Sequence, residues 1–480
     1  HTLIGWSKPP LEVVVCDYNT IEILRERGGK MDSVLQVVKS INNVLWSYLL
    51  IFLLCGTGIM FTVMLKGVQV TRFMDSVRRV FHRGSRKGQA DSQGMNSFQS
   101  LATAVAAQVG TGNLAGAATA IAAGGPGAIF WMWVTAFFGM ATIFAEAVLA
   151  QIYKEDINGE VRGGPAFYIS KGLKCKGLAV FFSITIIIAL GFVGNMVQAN
   201  SIGEAFNEAF GINPIIMGAI TVVVAGLIFR GGVKQIASFT EKIVPFMAVL
   251  YMVGGLYILL SNLSGTIHGI EMIFVGAFNP RAATGGLLGV GVKQAVRYGV
   301  ARGLFSNEAG MGSTPHAHAI AKVRNPIDQG IVAMFGVFFD TFIILTITAL
   351  IILSNVPIDG KMTGITLTQF AFKQGMGQLG TIFVAVALLF FAFSTIIGWY
   401  FFGEANIRYL FSSKKSVDIY SYVVLVFIFL GCLLKVELVW ELADMFNGLM
   451  VLPNIIALIG LSGVVKKGLE EYNRREGEFK

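Results

Sequence analysis

The sequence predicts an all-α protein that crosses the membrane many times. Composition is the first observation behind this prediction, since 54% of the 480 residues are hydrophobic and only 14% are charged. Soluble globular chains carry about 25% charged residues. The second observation is a series of apolar runs, several of which reach the roughly 20 residues that a helix needs to cross a bilayer. The third is an alternation of charge between successive loops.

We predict eleven membrane spans, which together define the fold class. The seventh span is the least apolar and is open to division into two half-helices. The predicted spans cover residues 43–65, 97–122, 126–152, 178–200, 214–229, 241–260, 286–321, 328–354, 379–403, 419–434 and 440–464.

The loops between these spans predict the orientation of the chain. The loop at 66–94 is rich in Lys and Arg, whereas the loop at 201–213 contains Glu204 and Glu208 and no basic residue. Because basic loops stay in the cytoplasm, the amino end of the first span is predicted outside and the C-terminus inside. The net charge of +9 follows from this topology and from attraction to an anionic lipid bilayer. It requires no nucleic acid as a partner.

Two of the predicted spans carry similar glycine-rich interruptions. The second span contains GTGNLAG at 110–116, the seventh contains LFSNEAGMGS at 304–313, and both include Asn-x-Ala-Gly. Glycine weakens a helix interior by about 0.5–1 kcal/mol relative to alanine, so both runs predict broken helices. The two runs lie five spans apart. Because five is odd, they cross the membrane in opposite directions, as in an inverted-topology repeat.

Broken helices inside a membrane expose backbone groups that can bind ligands. Each unpaired backbone group costs several kcal/mol in hydrocarbon, so unwound backbone persists only beside protein, water or a ligand. The freed N–H groups attract a carboxylate, and the freed carbonyls suit a hard cation such as sodium. Close helix packing through Gly112 and Gly116 is the open alternative. A dinucleotide fingerprint is excluded, since the spacing is GxGxxxG and no strand precedes it.

Three function classes compete for such a chain. A membrane enzyme would need a convergent acid, base or metal cluster, and the five histidines are dispersed along the sequence. A channel would need pore-lining rings, and no re-entrant loop is evident. A nucleotide-driven pump would need a phosphate-binding loop, which is also missing from the sequence. We therefore favour a secondary transporter without a cofactor, driven by an ion gradient.

Several segments resemble a known family. The run GGPGAIFWMWVTAFFG at 124–139 resembles the signature of the alanine or glycine:cation symporters, also called sodium:alanine symporters. The segments RGGPAFYI at 162–169, GNMVQANSI at 194–202 and GLFSNEAGMGS at 303–313 resemble further parts of the family pattern. The likeness covers the chain from Met31 onward.

This resemblance implies both a fold and a function. The fold would be the five-plus-five inverted repeat of the leucine-transporter kind, with broken first and sixth core helices and one extra N-terminal helix. The function would be import of small neutral amino acids, chiefly alanine and glycine, by symport with sodium through alternating access. Proton coupling is the alternative. The location would be the cytoplasmic membrane of a prokaryote.

The chain divides into five segments under this interpretation. Residues 1–30 mix polar and apolar character and lack the apolar core of a signal peptide, so we expect them to be a leader outside the native fold. Residues 31–95 would form the N-terminal span with its basic cytoplasmic loop. Residues 96–265 and 266–465 would form the two inverted repeats, and residues 466–480 a cytoplasmic tail.

The resemblance also implies a substrate site at the two breaks. Backbone N–H groups in the first break would bind the substrate carboxylate. Trp399 would fill most of the pocket and leave room for a methyl side chain, with an interfacial anchor as the alternative. Hydrogen bonds between helices are the alternative for Asn195 and Gln198. The predicted substrate-binding residues are Gly110, Thr111, Gly112, Asn195, Gln198, Phe305, Ser306, Asn307, Thr395 and Trp399.

A sodium site is implied beside the first break. The hydroxyls of Ser394 and Thr395 would bind the ion with the carbonyls of Ala106 and Val109, although hydroxyls in helices also bond to their own backbone. No other metal is expected. The predicted cation-binding residues are Ala106, Val109, Asn113, Asp340, Ser394 and Thr395.

Asp340 stands within the eighth predicted span, in GVFFDTFIIL. A carboxylate inside the membrane is costly and usually functional. We expect Asp340 to bind a cation together with Asn113, or a proton if coupling is to protons. The alternative is a structural ion pair, for which the candidate partners are Lys293, Arg297 and Arg302. The remaining carboxylates of the spans are expected to be structural or gating residues: Glu146, Glu308 and Glu404.

Overall fold

The computed structural model describes residues 34–81, 95–157, 160–279, 291–411, 413–434 and 436–478, and nearly all of them are helical. Residues 34–44 are helical and continue into the first helix through a π-helical turn at Leu45–Leu49. The helices of the first half are α1 (Leu50–Met64), α2 (Val68–Thr71), α3 (Phe73–Phe81), α4 (Ser97–Gln108), α5 (Ala117–Gly124), α6 (Gly127–Ile152), α7 (Pro165–Lys171), α8 (Lys176–Phe210), α9 (Pro214–Arg230) and α10 (Gly232–Ser261).

The second half of the chain continues in the same way. Its helices are α11 (Leu263–Phe278), α12 (Val292–Asn307), α13 (Pro315–Ala319), α14 (Pro326–Asn355), α15 (Gly364–Met376), α16 (Gln378–Leu410), α17 (Lys414–Gly431), α18 (Val436–Gly460) and α19 (Ser462–Glu478). The predicted leader at 1–30 and much of the predicted basic loop lie outside the described residues.

Six helices of the described chain are long and apolar enough to cross a membrane: α6, α8, α10, α14, α16 and the part of α18 from Leu438 to Gly460. The helices α1, α9 and α11 are apolar but shorter. The predicted all-α membrane-spanning architecture is therefore confirmed. The count of eleven spans stays a prediction, because several of the predicted spans correspond to short or broken helices.

Some helices differ from the sequence prediction. The helix α8 covers Lys176–Phe210, whereas the predicted span ended at residue 200, because polar residues after that point lower the hydropathy without ending the helix. The helices α11, α15 and α19 lie in segments that were predicted as loops or as a tail. A search for runs of about 20 apolar residues finds membrane spans and misses shorter or amphipathic helices.

The helices pack into two groups. In one group, α6 packs against α12, α14 and α1. In the other, α8 packs against α16 and α17, and α17 also packs against α9. The helix α4 contacts α14 of the first group and α16 of the second, and it also contacts α10. The first broken helix therefore lies where the two groups meet. A change in the relative position of the groups would alter its contacts.

The two broken helices run antiparallel to each other. At one end, Met95 forms a backbone bridge with Ala321, beside the start of α4 and the end of α13. At the middle, a Cβ atom on Gly112 would lie 2.9 Å from Ser306 Cα. At the other end, a Cβ atom on Gly124 would lie 3.3 Å from the carbonyl oxygen of Gln294. The predicted opposite directions of the two breaks are therefore seen in the structure.

A short hairpin follows α6. Its strands β1 (Glu155–Ile157) and β2 (Glu160–Arg162) pair antiparallel, with Glu155 opposite Arg162. Arg162 is only 2% exposed, because its side chain reaches into the protein beside Glu404, at 3.6 Å. The hairpin thus places the guanidinium group of Arg162 near the C-terminal end of α16.

Candidate functional site

The first break separates α4 from the helical turn that precedes α5. Val109 leaves the helix with φ −81° and ψ 89°, and a π-helical turn resumes at Gly112. Two side-chain amides hold the unwound backbone: Asn113 Oδ1 accepts from Gly110 N–H at 3.0 Å, and Gln198 Oε1 accepts from Thr111 N–H at 3.2 Å. Neutral amide oxygens therefore accept the hydrogen bonds of the free N–H groups in this break.

Glycine is required at position 110 by a close approach. A Cβ atom there would overlap the hydroxyl of Thr395 and would lie 3.2 Å from Gln198 Oε1. The break thus brings α4, α8 and α16 together around one residue without a side chain. The hydroxyl of Thr111 is buried in the same place and has no hydrogen-bond partner among the described residues. An unsatisfied buried polar atom costs about 1–3 kcal/mol, which favours a ligand that satisfies it.

The Ser394–Thr395 pair contacts the carbonyls that α4 leaves exposed. Thr395 Oγ1 lies 2.9 Å from Ala106 O and 3.5 Å from Val109 O. Ser394 Oγ lies 3.3 Å from Ala106 O. Both hydroxyls also bond the carbonyl of Phe391 on their own helix. Four of the six predicted cation ligands are therefore gathered in one buried place, and the alternative bonding to the helix backbone occurs as well.

Asp340 joins the two breaks through its carboxylate. Asn113 Nδ2 donates to it at 2.7 Å, Ser306 Oγ at 3.0 Å and Thr341 Oγ1 at 2.8 Å. Asp340 is fully buried. No ion pair to it is found in the part of the chain that the structure describes.

Arg302, one of the three basic residues considered as a partner of Asp340, binds elsewhere. Arg302 forms a two-point ion pair with Asp444 of α18, at 2.8 and 2.7 Å. Its guanidinium also lies 4.9 Å from the ring centre of Trp440. The alternative of an Arg302–Asp340 pair is therefore wrong, because Asp444 holds the arginine in a different direction.

The second break separates α12 from α13. Glu308 ends α12 in the left-handed region, with φ 58°, and Gly310 and Gly312 also have positive φ values of 90° and 81°. The Glu146 carboxylate of α6 accepts from Gly310 N–H at 3.0 Å and from Gly312 N–H at 2.9 Å. A full carboxylate, rather than an amide, therefore holds the N–H groups of this break.

A further layer of hydrogen bonds holds Glu146. Asn454 of α18 donates to Glu146 Oε1 at 2.6 Å and to the carbonyl of Gly310 at 3.0 Å. The hydroxyl of Tyr168 in turn donates to Asn454. The second break is thus fixed to α6, α7 and α18 at once.

Trp399 packs between the two groups of helices. Its indole Nε1 donates to Glu308 Oε1 at 2.5 Å, and its ring meets Phe305 edge-on with 5.8 Å between the centroids. A Cβ atom on Gly194 would lie 2.5 Å from Trp399 Cζ3, so the indole rests against that glycine. Trp399 is 1% exposed, which excludes an anchor at the membrane surface in this structure.

The remaining predicted residues have mainly structural contacts. Asn307 donates to Thr341 Oγ1 at 3.2 Å, accepts from Ala309 N–H at 3.1 Å, and receives a bond from Gln108 on its carbonyl at 2.7 Å. Asn195 donates to Gly191 O of its own helix at 3.0 Å. Its Oδ1 atom is buried and has no hydrogen-bond partner among the described residues. The structure therefore does not join Asn195 to either break.

Sequence reasoning missed the partners of the second break. Glu146 and Glu308 were expected to be structural or gating residues, without a contact being named. Gly194 and Asn454 were not considered as supports. A signal existed in the sequence, because a carboxylate in an apolar span needs a specific partner. The identity of that partner depends on packing between distant segments.

Comparison with known proteins identifies the chain. The family model described as the sodium:alanine symporter family matches residues 31–480. The chain belongs to this family. The probable sodium/glutamine symporter GlnT of Bacillus subtilis is 44% identical to this family member over 449 residues, covering 93% of this chain and 92% of GlnT. The sodium/alanine symporter AgcS of Methanococcus maripaludis is 42% identical over 455 residues, covering 92% and 98%.

A solved structure supports the fold of this sodium:alanine symporter family member. The transporter MhsT, crystallised with L-phenylalanine, aligns with a TM-score of 0.56 over 79% of this chain and 98% of MhsT, at 14% identity. That likeness shows the fold alone, which is of the leucine-transporter kind. The expected family and the leucine-transporter kind of fold are therefore confirmed, and the five-plus-five repeat stays a prediction. The protein is a membrane transporter of amino acids rather than an enzyme.

Proposed function

We propose that the protein imports alanine and glycine together with sodium, by alternating access. The observation that carries this proposal is the first break, where N–H donors, backbone carbonyls and hydroxyls lie in one buried cluster. Gly110 and Thr111 supply the donors, and Thr395 brings its hydroxyl to the carbonyls of Ala106 and Val109. An anion and a cation can be held side by side in such an arrangement.

The substrate carboxylate would replace the amide oxygens in the first break. Gly110 N–H and Thr111 N–H are bonded to the neutral oxygens of Asn113 and Gln198. Hydrogen bonds to an ionised acceptor are roughly twice as strong as bonds to a neutral one. A carboxylate that enters therefore gains more from these donors than the amides lose.

Sodium would replace the hydrogen bonds between the Thr395 hydroxyl and the backbone carbonyls at the first break. The hydroxyl of Thr395 donates to carbonyls of α4, and an ion placed between them would take the same oxygens as ligands. Sodium would then tie α4 to α16, which belong to different parts of the fold. Its charge would also lie close to the substrate carboxylate. Both effects make sodium and substrate favour each other's binding, which is the basis of symport.

Substrate size would be limited by aromatic side chains. Trp399 and Phe305 meet edge-on, and the indole is fixed between Gly194 and Glu308. This rigid wall favours a substrate with a methyl side chain or none. GlnT, a relative at 44% identity, carries the name of a sodium/glutamine symporter, so glutamine is the competing substrate that a transport assay must include.

The topology and the coupling complete the proposal. Antiparallel broken helices and alternating loop charge support a five-plus-five repeat in the cytoplasmic membrane, with the first span beginning outside and the C-terminus inside. Asp340 would hold a second cation or, in the alternative, a proton. A Bacillus subtilis relative at 41% identity is named a putative sodium/proton-dependent alanine carrier protein.

Uptake into proteoliposomes tests the proposal. Labelled alanine would be offered under an inward sodium gradient or under a pH gradient alone, with unlabelled glycine and glutamine as competitors. We expect sodium-dependent uptake that glycine inhibits and that Thr395→Ala abolishes, while Thr395→Ser retains it because the hydroxyl remains. Uptake driven by the pH gradient alone would move the coupling to protons. Competition by glutamine rather than glycine would overturn the substrate assignment.

A further inference from the structure

A groove separate from the substrate site opens between α9, α16 and α17. Its volume is about 540 Å³. Apolar side chains of α9 and α17 form its walls, including Val223, Leu227 and Leu425. Val223 is 62% exposed and Leu227 is 59% exposed. The groove therefore faces the hydrocarbon of the surrounding bilayer.

One end of the groove is basic. Arg230 is the last residue of α9, Arg408 lies in the last turn of α16, and Lys414 is the first residue of α17, and all three line the groove. Arg230 and Lys414 are exposed. Within the described ranges, neither side chain has a hydrogen bond or an ion pair.

The acidic residues of the groove are partly neutralised by neighbouring arginines. Glu404 is 2% exposed and is held by Arg408 at 2.8 Å and by Arg162 at 3.6 Å. Asp418 also lines the groove, one helical turn beyond Lys414. Glu160 pairs with Arg162 and, at 3.8 Å, with Arg408. The four cations of this cluster (Arg162, Arg230, Arg408 and Lys414) therefore exceed its three anions (Glu160, Glu404 and Asp418) by one positive charge.

We propose that this groove binds one anionic phospholipid. The phosphate of the headgroup would lie between Arg230 and Lys414, and an acyl chain would follow the apolar surface of α9 and α17. Basic pockets between membrane helices suit anionic headgroups, and arginine binds phosphate through paired N–H donors. A soluble anion would not use the apolar walls. The combination of a basic end with a lipid-facing apolar channel matches a phospholipid.

The site would affect the helix that carries the transport residues. Tyr400, which lines the groove, directly follows Trp399 on α16. Its ring stacks on Phe229 of α9 with 3.6 Å between the centroids. A lipid held here would stabilise the contact between α9, α16 and α17. The proposal does not depend on which amino acid the protein carries.

Native mass spectrometry of the purified full chain tests this site. Phosphatidylglycerol and phosphatidylcholine with identical acyl chains would be added at equal concentration. We expect at least a fivefold preference for phosphatidylglycerol. Arg230→Gln combined with Lys414→Gln is expected to remove that preference. The matched control combines Lys234→Gln with Lys415→Gln, which removes two nearby cations that do not line the groove and should leave the preference intact.

A second variant tests the apolar channel. Gly226 lies on the groove wall, and a Cβ atom there would lie 3.4 Å from Leu425 Cδ1, an ordinary contact. The Cβ atom of Gly226→Leu therefore fits, and we expect the rest of the leucine side chain to occupy the groove, block the acyl chain and lower phosphatidylglycerol binding. Equal binding of the two lipids, or equal loss of preference in the control pair, would overturn the proposal. Unchanged lipid binding in Gly226→Leu would show that the lipid lies elsewhere.

Discussion

The two breaks share the pattern Asn-x-Ala-Gly but are held in different ways. In the first, neutral amides of Asn113 and Gln198 accept from the backbone N–H groups. In the second, the Glu146 carboxylate accepts from Gly310 and Gly312. Charge-assisted bonds are roughly twice as strong as neutral ones. The first break is therefore suited to exchanging its partners for a substrate, and the second is suited to staying fixed.

The asparagines show how alike the two breaks are otherwise. Asn113 donates to Asp340 and Asn307 donates to Thr341, which is the next residue of α14. Each asparagine also accepts from a backbone N–H group of its own break. The difference thus lies in the supporting helices and not in the repeated motif. In this protein, α6 provides a carboxylate at the second break and α8 provides an amide at the first.

Removal of the Glu146 carboxylate should give the largest effect. Glu146→Ala leaves two buried N–H groups without an acceptor, and each costs about 1–3 kcal/mol. We expect a loss of about 2–6 kcal/mol in the free energy of unfolding from this pair. Thermal unfolding of the purified protein, followed by tryptophan fluorescence, measures it. Glu146→Gln keeps one acceptor and should lose less, whereas an unchanged midpoint in Glu146→Ala would contradict the fixed role of the second break.

Substitution of Asp340 should give the second-largest effect, since this residue contacts both breaks. Asp340→Asn preserves the size of the side chain but removes the charge, and a hydrogen bond to a charged group is worth about 1.5–3 kcal/mol. We expect the sodium concentration for half-maximal alanine uptake to rise more than tenfold. Uptake measured over a range of sodium concentrations provides the test. If the variant keeps its sodium dependence but loses its response to a pH gradient, Asp340 binds a proton instead.

Gln198 gives a smaller, more specific effect. Gln198→Ala removes the neutral acceptor of Thr111 N–H, and one buried donor left without a partner costs about 1–3 kcal/mol. We expect a smaller loss of thermal stability than in Glu146→Ala, because one donor rather than two loses its acceptor. The affinity for alanine, measured by calorimetric titration, should become several-fold tighter, because the substrate carboxylate no longer has to displace an amide oxygen from Thr111 N–H. Stability loss as large as that of Glu146→Ala would show that both breaks are equally fixed. The contrast between the two breaks would then be wrong.

The sequence predicted the breaks better than it predicted their supports. Glycines clustered in an apolar run cannot continue as a stable helix, so the breaks are a local property and were found. The Ser394–Thr395 pair and its carbonyl partners are placed together by the structure, as the family resemblance implied. The bond from Trp399 to Glu308 joins residues far apart in the chain. Nothing local in the sequence determines that contact.

Asn195 shows why helical spacing alone misleads. It was predicted to bind substrate together with Gln198, and residues three apart share a helix face. In the structure, Asn195 directly follows a π-helical segment at Ile187–Gly194 and bonds back to Gly191. The π-helical segment ends at Gly194, and both Asn195 and Gln198 lie in the regular helix that follows it. A shared helix face therefore does not by itself bring both side chains to the same ligand site. Gln198 reaches the first break and Asn195 does not.

The smallest expected effect tests whether Glu308 orients Trp399. Glu308→Gln keeps the shape of the acceptor but removes its charge, so the bond from the indole weakens by roughly half. The indole would then move more freely against Phe305 and Gly194. We expect alanine uptake to persist and the inhibition by serine or threonine to strengthen about threefold, because a difference of less than 1 kcal/mol is involved. Competition assays with labelled alanine measure this change.

Trp399→Phe serves as the matched control for that variant. It removes both the indole N–H and part of the ring, so it should admit larger substrates more strongly than Glu308→Gln. If Glu308 acts through Trp399, adding Glu308→Gln to Trp399→Phe changes the competition no further, as expected for two residues in one interaction. An additive effect of the two substitutions would mean that Glu308 contacts the substrate itself. In that case the second break would take part in binding, and its fixed backbone would serve to place the Glu308 carboxylate.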